Sequence, residues 1–411
     1  MTKKASHPIG VVGAGTMGAG IAQTAAAAGW VVKLFDINNE AVENATVSIS
    51  KRFDRLVEKN MMNSKEAEEC KSLICGTSSI EDLHDCDLII EAIIEDFDVK
   101  TKVLTQLGNI APNGILATNT SSLSITELGN SCGFPSRIIG MHFFNPAPIM
   151  PLVEIVKGKD TSKQSLQRAI LLVEAWGKTV VLASDTPGFI VNRIARPYYL
   201  ESWRILEDSL ARVDVIDHSL QSLGEFKMGP FILTDLIGQD INVATTRSIW
   251  ERLGCPSRLS PSKKQESLVD TGKLGRKTGC GAYAHDDNNN TVPAIVQETN
   301  DLELSKRLTD AINEFCLEAT STSGSMLERY IFARVLAGII NEALWALNDG
   351  VASAEDINTA MKLGTNYPKG PIEWANLIGE EKVQELLGAL NETVEDNRFA
   401  APPSGTVATT S

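Results

Sequence analysis

Along the first half of the chain, short apolar runs alternate with stretches whose apolar residues recur at helical spacing. Residues 9–13 predict a strand, the Ala-rich run 19–28 a helix stopped at Gly29, and residues 31–36 the next strand. Residues 88–93, 114–118 and 138–141 predict further buried strands. Strands alternating with helices predict a parallel sheet covered on both faces. Between the early strands, residues 49–69 are charged yet apolar at helical spacing, which predicts a helical excursion standing off the sheet. Past residues 185–188 the pattern changes. Strand signals vanish and amphipathic helices take over, with a polar run at 286–290 as a second break. From about residue 391 the periodicity is lost.

The helical part repeats itself. Arg193, Glu201, Leu206 and Phe226 match Arg334, Glu342, Leu347 and Tyr367 at one constant offset of 141 residues. Gly229-Pro230 and Leu236-Ile237-Gly238 match Gly370-Pro371 and Leu377-Ile378-Gly379 at the same offset. Two copies of one helical unit are therefore expected to bury faces that one copy would expose. Asn192 in the first copy becomes Ala333 in the second, so any chemistry at Asn192 belongs to the first copy alone.

Composition narrows the function classes. The 411 residues are 43% hydrophobic and carry a formal net charge of −14. Such an acidic chain disfavours non-specific nucleic-acid binding, although a small anionic ligand needs only a local basic mouth. Seven cysteines without C-x-x-C pairs argue against a disulfide framework or a zinc site, so no metal is expected. No signal-peptide core and no run of about 18 consecutive apolar residues is found. The expectation is a soluble, intracellular (cytoplasmic) protein without a membrane span.

The strongest local motif is Gly13-Ala14-Gly15-Thr16-Met17-Gly18, a G-x-G-x-x-G run after a predicted strand and before a predicted helix. Gly13 permits the tight turn, Gly15 lets the backbone approach a pyrophosphate, and Gly18 lets helix and strand pack closely. Asp36 ends the next strand, where a carboxylate accepts ribose hydroxyls and repels a 2′-phosphate, which favours NAD. The predicted fold class is thus an α/β Rossmann-type dinucleotide-binding domain (1–186) followed by two tandem all-α helical domains (187–285 and 300–390) and a mobile tail (391–411). A lone His142 ends a predicted strand, and Glu154 lies twelve residues later inside an apolar run. A buried carboxylate needs a partner and the histidine is the natural one. The residue types alone leave His142 either a general base or a satisfied structural histidine.

Taken in order, residues 13–22, Asn119-Thr120-Ser121-Ser122-Leu123, His142-Phe143-Phe144-Asn145-Pro146, Asp185-Thr186-Pro187-Gly188-Phe189-Ile190-Val191-Asn192-Arg193 and Lys277-Thr278-Gly279 resemble the L-3-hydroxyacyl-CoA dehydrogenases, including the 3-hydroxybutyryl-CoA dehydrogenases. The resemblance implies an NAD-dependent oxidoreductase of β-oxidation or a butanoate-type route that interconverts a short (S)-3-hydroxyacyl-CoA and its 3-oxoacyl-CoA. It implies His142 as general base with Glu154 as its partner, and Ser121 and Asn192 on the substrate oxygen. Gly13, Gly15, Thr16, Met17, Gly18, Asp36, Glu95, Lys100, Asn145 and Lys277 fall at positions the family uses around NAD. Arg52 and Lys59, on the charged excursion that also carries Lys51 and Arg55, fall where the family contacts CoA. The chain departs from the family's aromatic pair at Ala282-Tyr283-Ala284. Short relatives dimerise through one helical unit per chain, so the second copy implies a monomer with an internal pseudo-dimer, or else a homodimer. Two other readings stand beside this one: a dehydrogenase of a free hydroxy acid, of the gulonate or carnitine type, and a non-catalytic, crystallin-like dinucleotide binder.

Overall fold

In a computed structural model of the chain, residues 7–286 and 291–403 are described, and they divide into two compact units, Met1–Phe189 and Ile190–Ser411. Of the expected mobile tail, residues 404–411 lie outside the described residues, as do 287–290 of the polar break.

The first unit is an eight-stranded sheet ordered β3-β2-β1-β4-β5-β6-β7-β8. Its strands are β1 (Ile9–Val12), β2 (Val32–Phe35), β3 (Ile74–Thr77), β4 (Leu88–Glu91), β5 (Ile115–Thr118), β6 (Ile138–Phe143), β7 (Leu152–Lys157) and β8 (Thr179–Ser184). The first six run parallel. The central ones are continuous apolar runs because helices cover both faces. Those helices are α1 (Thr16–Ala27), α2 (Asn39–Glu58), α3 (Ser64–Ser72), α4 (Phe97–Ile110), α5 (Ile125–Cys132) and α6 (Lys163–Ala175). The predicted excursion is two helices, α2 and α3. Asn63 ends the break between them by capping α3 through the Glu66 N–H. β3 and β8, which the hydrophobic pattern does not reveal, are the two edges of the sheet and are less buried than its centre.

The chain reverses between β6 and β7, the one antiparallel pairing of this sheet, and His142 stands opposite Glu154. In the β6–β7 loop the Asn145–Pro146 peptide is cis. The Lys178 ammonium at the foot of β8 donates to the carbonyls of Ala147 (2.7 Å) and Met150 (2.8 Å), tying that loop to the sheet.

The second unit holds both helical copies, read from the sequence as successive domains, in one body. The first comprises α7 (Val191–Ile194), α8 (Arg196–Glu207), α9 (Val213–Gly224), α10 (Pro230–Ile237), α11 (Gln239–Arg252) and α12 (Lys263–Asp270). A short hairpin, β9 (Tyr283–His285) with β10 (Thr291–Pro293), corrects the expectation that strands end at the sheet. Then come α13 (Lys306–Ala319), α14 (Met326–Asn348), α15 (Ala354–Thr365), α16 (Pro371–Ile378) and α17 (Glu380–Asn391). The bounds of α9 and α10 reappear in α15 and α16 at the offset of 141.

The two copies interlock reciprocally. Arg193 donates to Glu342 (2.6 Å) and Asp349 (2.6 Å), while Arg334 donates to Glu201 (2.9 Å) and Asp208 (3.1 Å). Each partner is the repeat counterpart of the other's partner, which is the signature of a self-complementary two-fold interface. Phe226 and its counterpart Tyr367 meet edge to face, ring centroids 4.9 Å apart. α14 is long and apolar enough to cross a membrane by length and composition, yet it is almost wholly buried as the central helix of this unit. Residues 391–403 also pack onto the unit: Phe399 is 2% exposed, and the Ala400 carbonyl accepts from Asn341 and Trp345.

Candidate functional site

The glycine run forms the turn from β1 into α1. Gly13 has φ +105°, and a Cβ there would sit 2.5 Å from the Ala92 carbonyl oxygen. A Cβ on Gly18 would lie 1.8 Å from the Gly13 oxygen, so α1 can approach β1 only through glycine. Gly15 is different: nothing lies within 4 Å of its would-be Cβ, and no side chain caps the helix it precedes. Open space at uncapped N–H groups is the cradle a pyrophosphate needs. Thr16 is exposed and Met17 half-buried beside it.

Asp36, at the end of β2, accepts the Ala14 N–H (2.7 Å) and the Asn38 N–H (3.0 Å). These bonds fix its carboxylate beside the glycine turn with lone pairs to spare for ribose hydroxyls. Two apolar side chains that motif reasoning missed follow the ends of β2 and β4: Ile37 is 94% exposed and Ile94 67%. β2 and β4 flank β1, so these residues offer apolar surface on either side of the turn. The available signal was a large aliphatic residue just past a strand end, where water would otherwise be expected. The fit to NAD is therefore good on this chain's own geometry.

His142 is buried at the end of β6, and its Nδ1 lies 2.5 Å from Glu154 Oε2. Glu154 is fully buried on β7. The Phe144 and Phe189 rings stand 4.6 Å and 5.9 Å from the imidazole, centroid to centroid. With Nδ1 turned to the carboxylate, Nε2 is the nitrogen that can exchange a proton. Asn119, whose role the sequence did not disclose, accepts the Phe143 N–H (2.9 Å). It thereby ties the loop after β5 to the residue next to His142.

That loop carries Ser121, and Glu95 grips it. One Glu95 oxygen accepts from Thr120 Oγ1 (2.6 Å), the Ser121 N–H (2.9 Å), the Ser122 N–H (3.1 Å) and Ser122 Oγ (2.9 Å). Against the cost of burial, the Lys100 ammonium and these donors hold the Glu95 carboxyl below the usual carboxylate range. Lys100 is itself withdrawn from the surface, 2.6 Å from the buried Glu91 and 3.4 Å from Glu95. In this structure Glu95 and Lys100 thus organise the Ser121 loop from within. Asn145 is exposed on the β6–β7 loop. Arg52 donates to Gln23 of α1 (3.3 Å), and Lys51, Arg55 and Lys59 are exposed along α2.

Two expected residues belong to the second unit. Asn192 lies half-buried on α7, where its carbonyl accepts from Arg196 Nε (2.8 Å). Lys277 donates to both oxygens of Asp240 (2.6 and 2.7 Å). Its loop is anchored by the buried Asp235, which accepts the N–H groups of Ala282 and Tyr283 (both 2.9 Å) and pairs with His285 (2.8 Å). Ala282, where an aromatic was expected, is fully buried beneath that carboxylate's grip. Among the described residues no group of three His, Cys, Asp or Glu could hold a metal ion.

Comparison with known proteins gives two family matches. Residues 8–186 match the 3-hydroxyacyl-CoA dehydrogenase NAD binding domain. Residues 188–285 and again 330–407 match the 3-hydroxyacyl-CoA dehydrogenase C-terminal domain. The chain is 35% identical to the 3-hydroxyadipyl-CoA dehydrogenase of Escherichia coli K12, over 95% of each chain. It is 38% identical to a 3-hydroxybutyryl-CoA dehydrogenase of Clostridioides difficile, over 67% of this chain and 98% of that one. The crystal structure of 3-hydroxybutyryl-CoA dehydrogenase from Escherichia coli K12 superposes with a TM-score of 0.85 at 35% identity, over 97% of each chain.

Proposed function

The chain belongs to the 3-hydroxyacyl-CoA dehydrogenase family, an NAD-dependent one, and on that premise we propose that it interconverts short (S)-3-hydroxyacyl-CoA and 3-oxoacyl-CoA thioesters, with 3-hydroxybutyryl-CoA as the preferred size. The observation that carries this reading is the His142–Glu154 pair, set face to face by strand register beside the Asn119-tied Ser121 loop.

In oxidation, His142 Nε2 takes the proton of the 3-hydroxyl. Glu154 holds the ring in the tautomer that leaves Nε2 as acceptor and offsets the positive charge that proton uptake creates. Ser121 donates to the substrate oxygen and holds it in attack geometry, the role the resemblance also implies for Asn192. NAD, when bound, supplies the hydride acceptor. Its pyrophosphate would lie against Gly13, Gly15, Thr16, Met17 and Gly18, its ribose on Asp36, and its nicotinamide end near Asn145; Glu95 and Lys100 act through the Ser121 loop they hold, and the resemblance implies a cofactor role for Lys277 as well. Arg52 and Lys59 offer cations for the CoA phosphates. The Phe144 and Phe189 rings pack beside the imidazole and reduce its contact with water.

The test is NADH oxidation with acetoacetyl-CoA, followed at the nicotinamide absorbance. Turnover with the thioester, and none with free hydroxy acids when NAD is supplied as the oxidant, supports the reading. Tight NADH binding without turnover on any of these substrates overturns it. His142→Gln should bind NADH normally and lose about 10²–10⁴-fold in kcat. In the same reading the second helical copy stands where short relatives place a partner subunit, so the enzyme sediments as a monomer. An obligate dimer built on the first copy would refute that.

A further inference from the structure

The loop bearing Ser121 has two ends, and the mechanism above accounts for only one. Upstream, Glu95 gathers the donors of residues 120–122. Downstream, three residues beyond Ser121, the chain enters α5 at Ser124, and there a second carboxylate closes on it. Asp185 Oδ1 accepts the Ile125 N–H (2.9 Å), while Oδ2 accepts the Thr126 N–H (2.8 Å) and Ser124 Oγ (2.7 Å). Ser124 in turn accepts the Glu127 N–H (3.2 Å). The cap residue Ser124 satisfies the Glu127 N–H alone and leaves the earlier N–H groups of the helix without an intrahelical partner. Here a side chain some sixty positions away satisfies the first turn as well. A carboxylate at a helix N-terminus also meets the positive end of the helix dipole, which makes the contact strong and directional.

Asp185 follows β8 directly and opens the turn by which the chain leaves the first unit. The Phe189 N–H donates to the Thr186 carbonyl (3.0 Å), Phe189 takes φ +47°, and its ring stands 5.9 Å from the imidazole of His142. One five-residue turn is therefore bonded at its start to the first turn of α5, where the Ser121 loop ends, and packed at its end against the proposed base. Nothing in the folding of β8 itself requires this, because the strand is already paired with β7 along its length.

We propose that Asp185 is a positioning residue for the dehydrogenase reaction: by capping α5 it sets the downstream end of the Ser121 loop and so the place of the Ser121 hydroxyl relative to His142. The inference rests on the function proposed above. Asp185 touches no substrate atom and acts through Ser121.

The experiment is a double-mutant cycle of Asp185→Asn and Ser121→Ala in the full chain, with acetoacetyl-CoA and NADH. Asp185→Asn alone lowers kcat by about ten- to a hundredfold and leaves the Kd for NADH and the thermal midpoint near those of the wild type. In the Ser121→Ala background, the same change has little further effect, because the hydroxyl it positions is gone. A loss of equal size in both backgrounds overturns the proposal, as does a Ser121→Ala enzyme with wild-type kcat. If Asp185→Asn does not fold, Ser124→Ala, which removes the hydroxyl link to Asp185 together with the cap on the Glu127 N–H, gives a loss with the same dependence on Ser121. A wild-type chain inactive on every thioester would refute the function instead, and that result is separable from all of these.

Discussion

In the first helical copy, the Asp217 carboxylate accepts the N–H groups of Phe231 (2.9 Å) and Ile232 (3.1 Å) at the start of α10. At the same place in the second copy, Asn358 Oδ1 accepts those of Ile372 (2.9 Å) and Glu373 (3.2 Å) at the start of α16. Asp235 is buried and clasps the loop that carries Lys277, whereas its counterpart Asn376 is exposed and clasps nothing of the kind. Asn192, on the separate turn α7, corresponds to Ala333 inside the unbroken helix α14. The reciprocal arginine pairs, by contrast, are the same in both. The two copies share the interactions that hold them together and differ at Asn192, to which the proposed function gives a role, and in the carboxylate that clasps the Lys277 loop.

The largest effect should come from breaking what they share. Glu342 faces Arg193 and Arg258 at 2.6 Å, and all three are largely buried. Glu342→Ala takes Arg258's carboxylate and leaves Arg193 with Asp349 alone, and should lower the unfolding free energy by about 3–5 kcal/mol, read by denaturant titration. Its counterpart Glu201, held down at about 2 by Arg204, Arg334 and Arg398 against the cost of burial, should behave alike. Loss of both in one chain should fall short of the sum, because the two sites form one interface.

Next comes what they do not share. Asn192→Ala, which copies the second repeat into the first, should reduce kcat/KM by about 10²-fold without moving the thermal midpoint. Ala333→Asn should leave turnover unchanged. Equal effects at both positions would end the division of roles between the copies.

A third test uses pH. Burial pushes the Asp217 carboxyl up to about 7, against the pull of its two N–H donors and the Tyr283 hydroxyl, with Asp235 adding to the rise. Because the folded value exceeds the unfolded one, its share of stability is complete below about pH 4 and is lost as pH rises through about 7. Asp217→Asn, the residue type the second copy already uses, should flatten that decline, an effect of about 1–3 kcal/mol between pH 5 and pH 8. The smallest effect belongs to the solvent-facing Arg307–Glu385 pair of the second copy. Arg307→Ala should leave the unfolding midpoint unchanged, in contrast to the buried pairs.

Much of this was legible in the residues. The glycine turn and Asp36 announced the dinucleotide end because their geometry is local. The repeat showed itself through one constant offset, which α9/α15 and α10/α16 keep from first residue to last. What stayed hidden was pairing at a distance. Which glutamate meets which arginine, across 149 and 133 residues, follows from the two-fold relation and not from neighbourhood in sequence. The resemblance alone pointed Lys100 and Glu95 toward the cofactor. Only coordinates reveal that Lys100 is spent on Glu91 and that Glu95 holds a turn. The edge strands β3 and β8 are less buried than the centre because one side of each has no neighbour, although β8 keeps the apolar run 180–183.

Joining both copies in one polypeptide changes the mathematics of their association. A pair of separate subunits must find each other, and dilution pulls them apart. Tethered copies meet at an effective concentration set by the chain, in the millimolar range for short connections, however few molecules are present. Separate identical subunits also receive every mutation twice. Here a substitution enters one side only, so the two copies can carry different residues at equivalent positions, as Asn192 and Ala333 do.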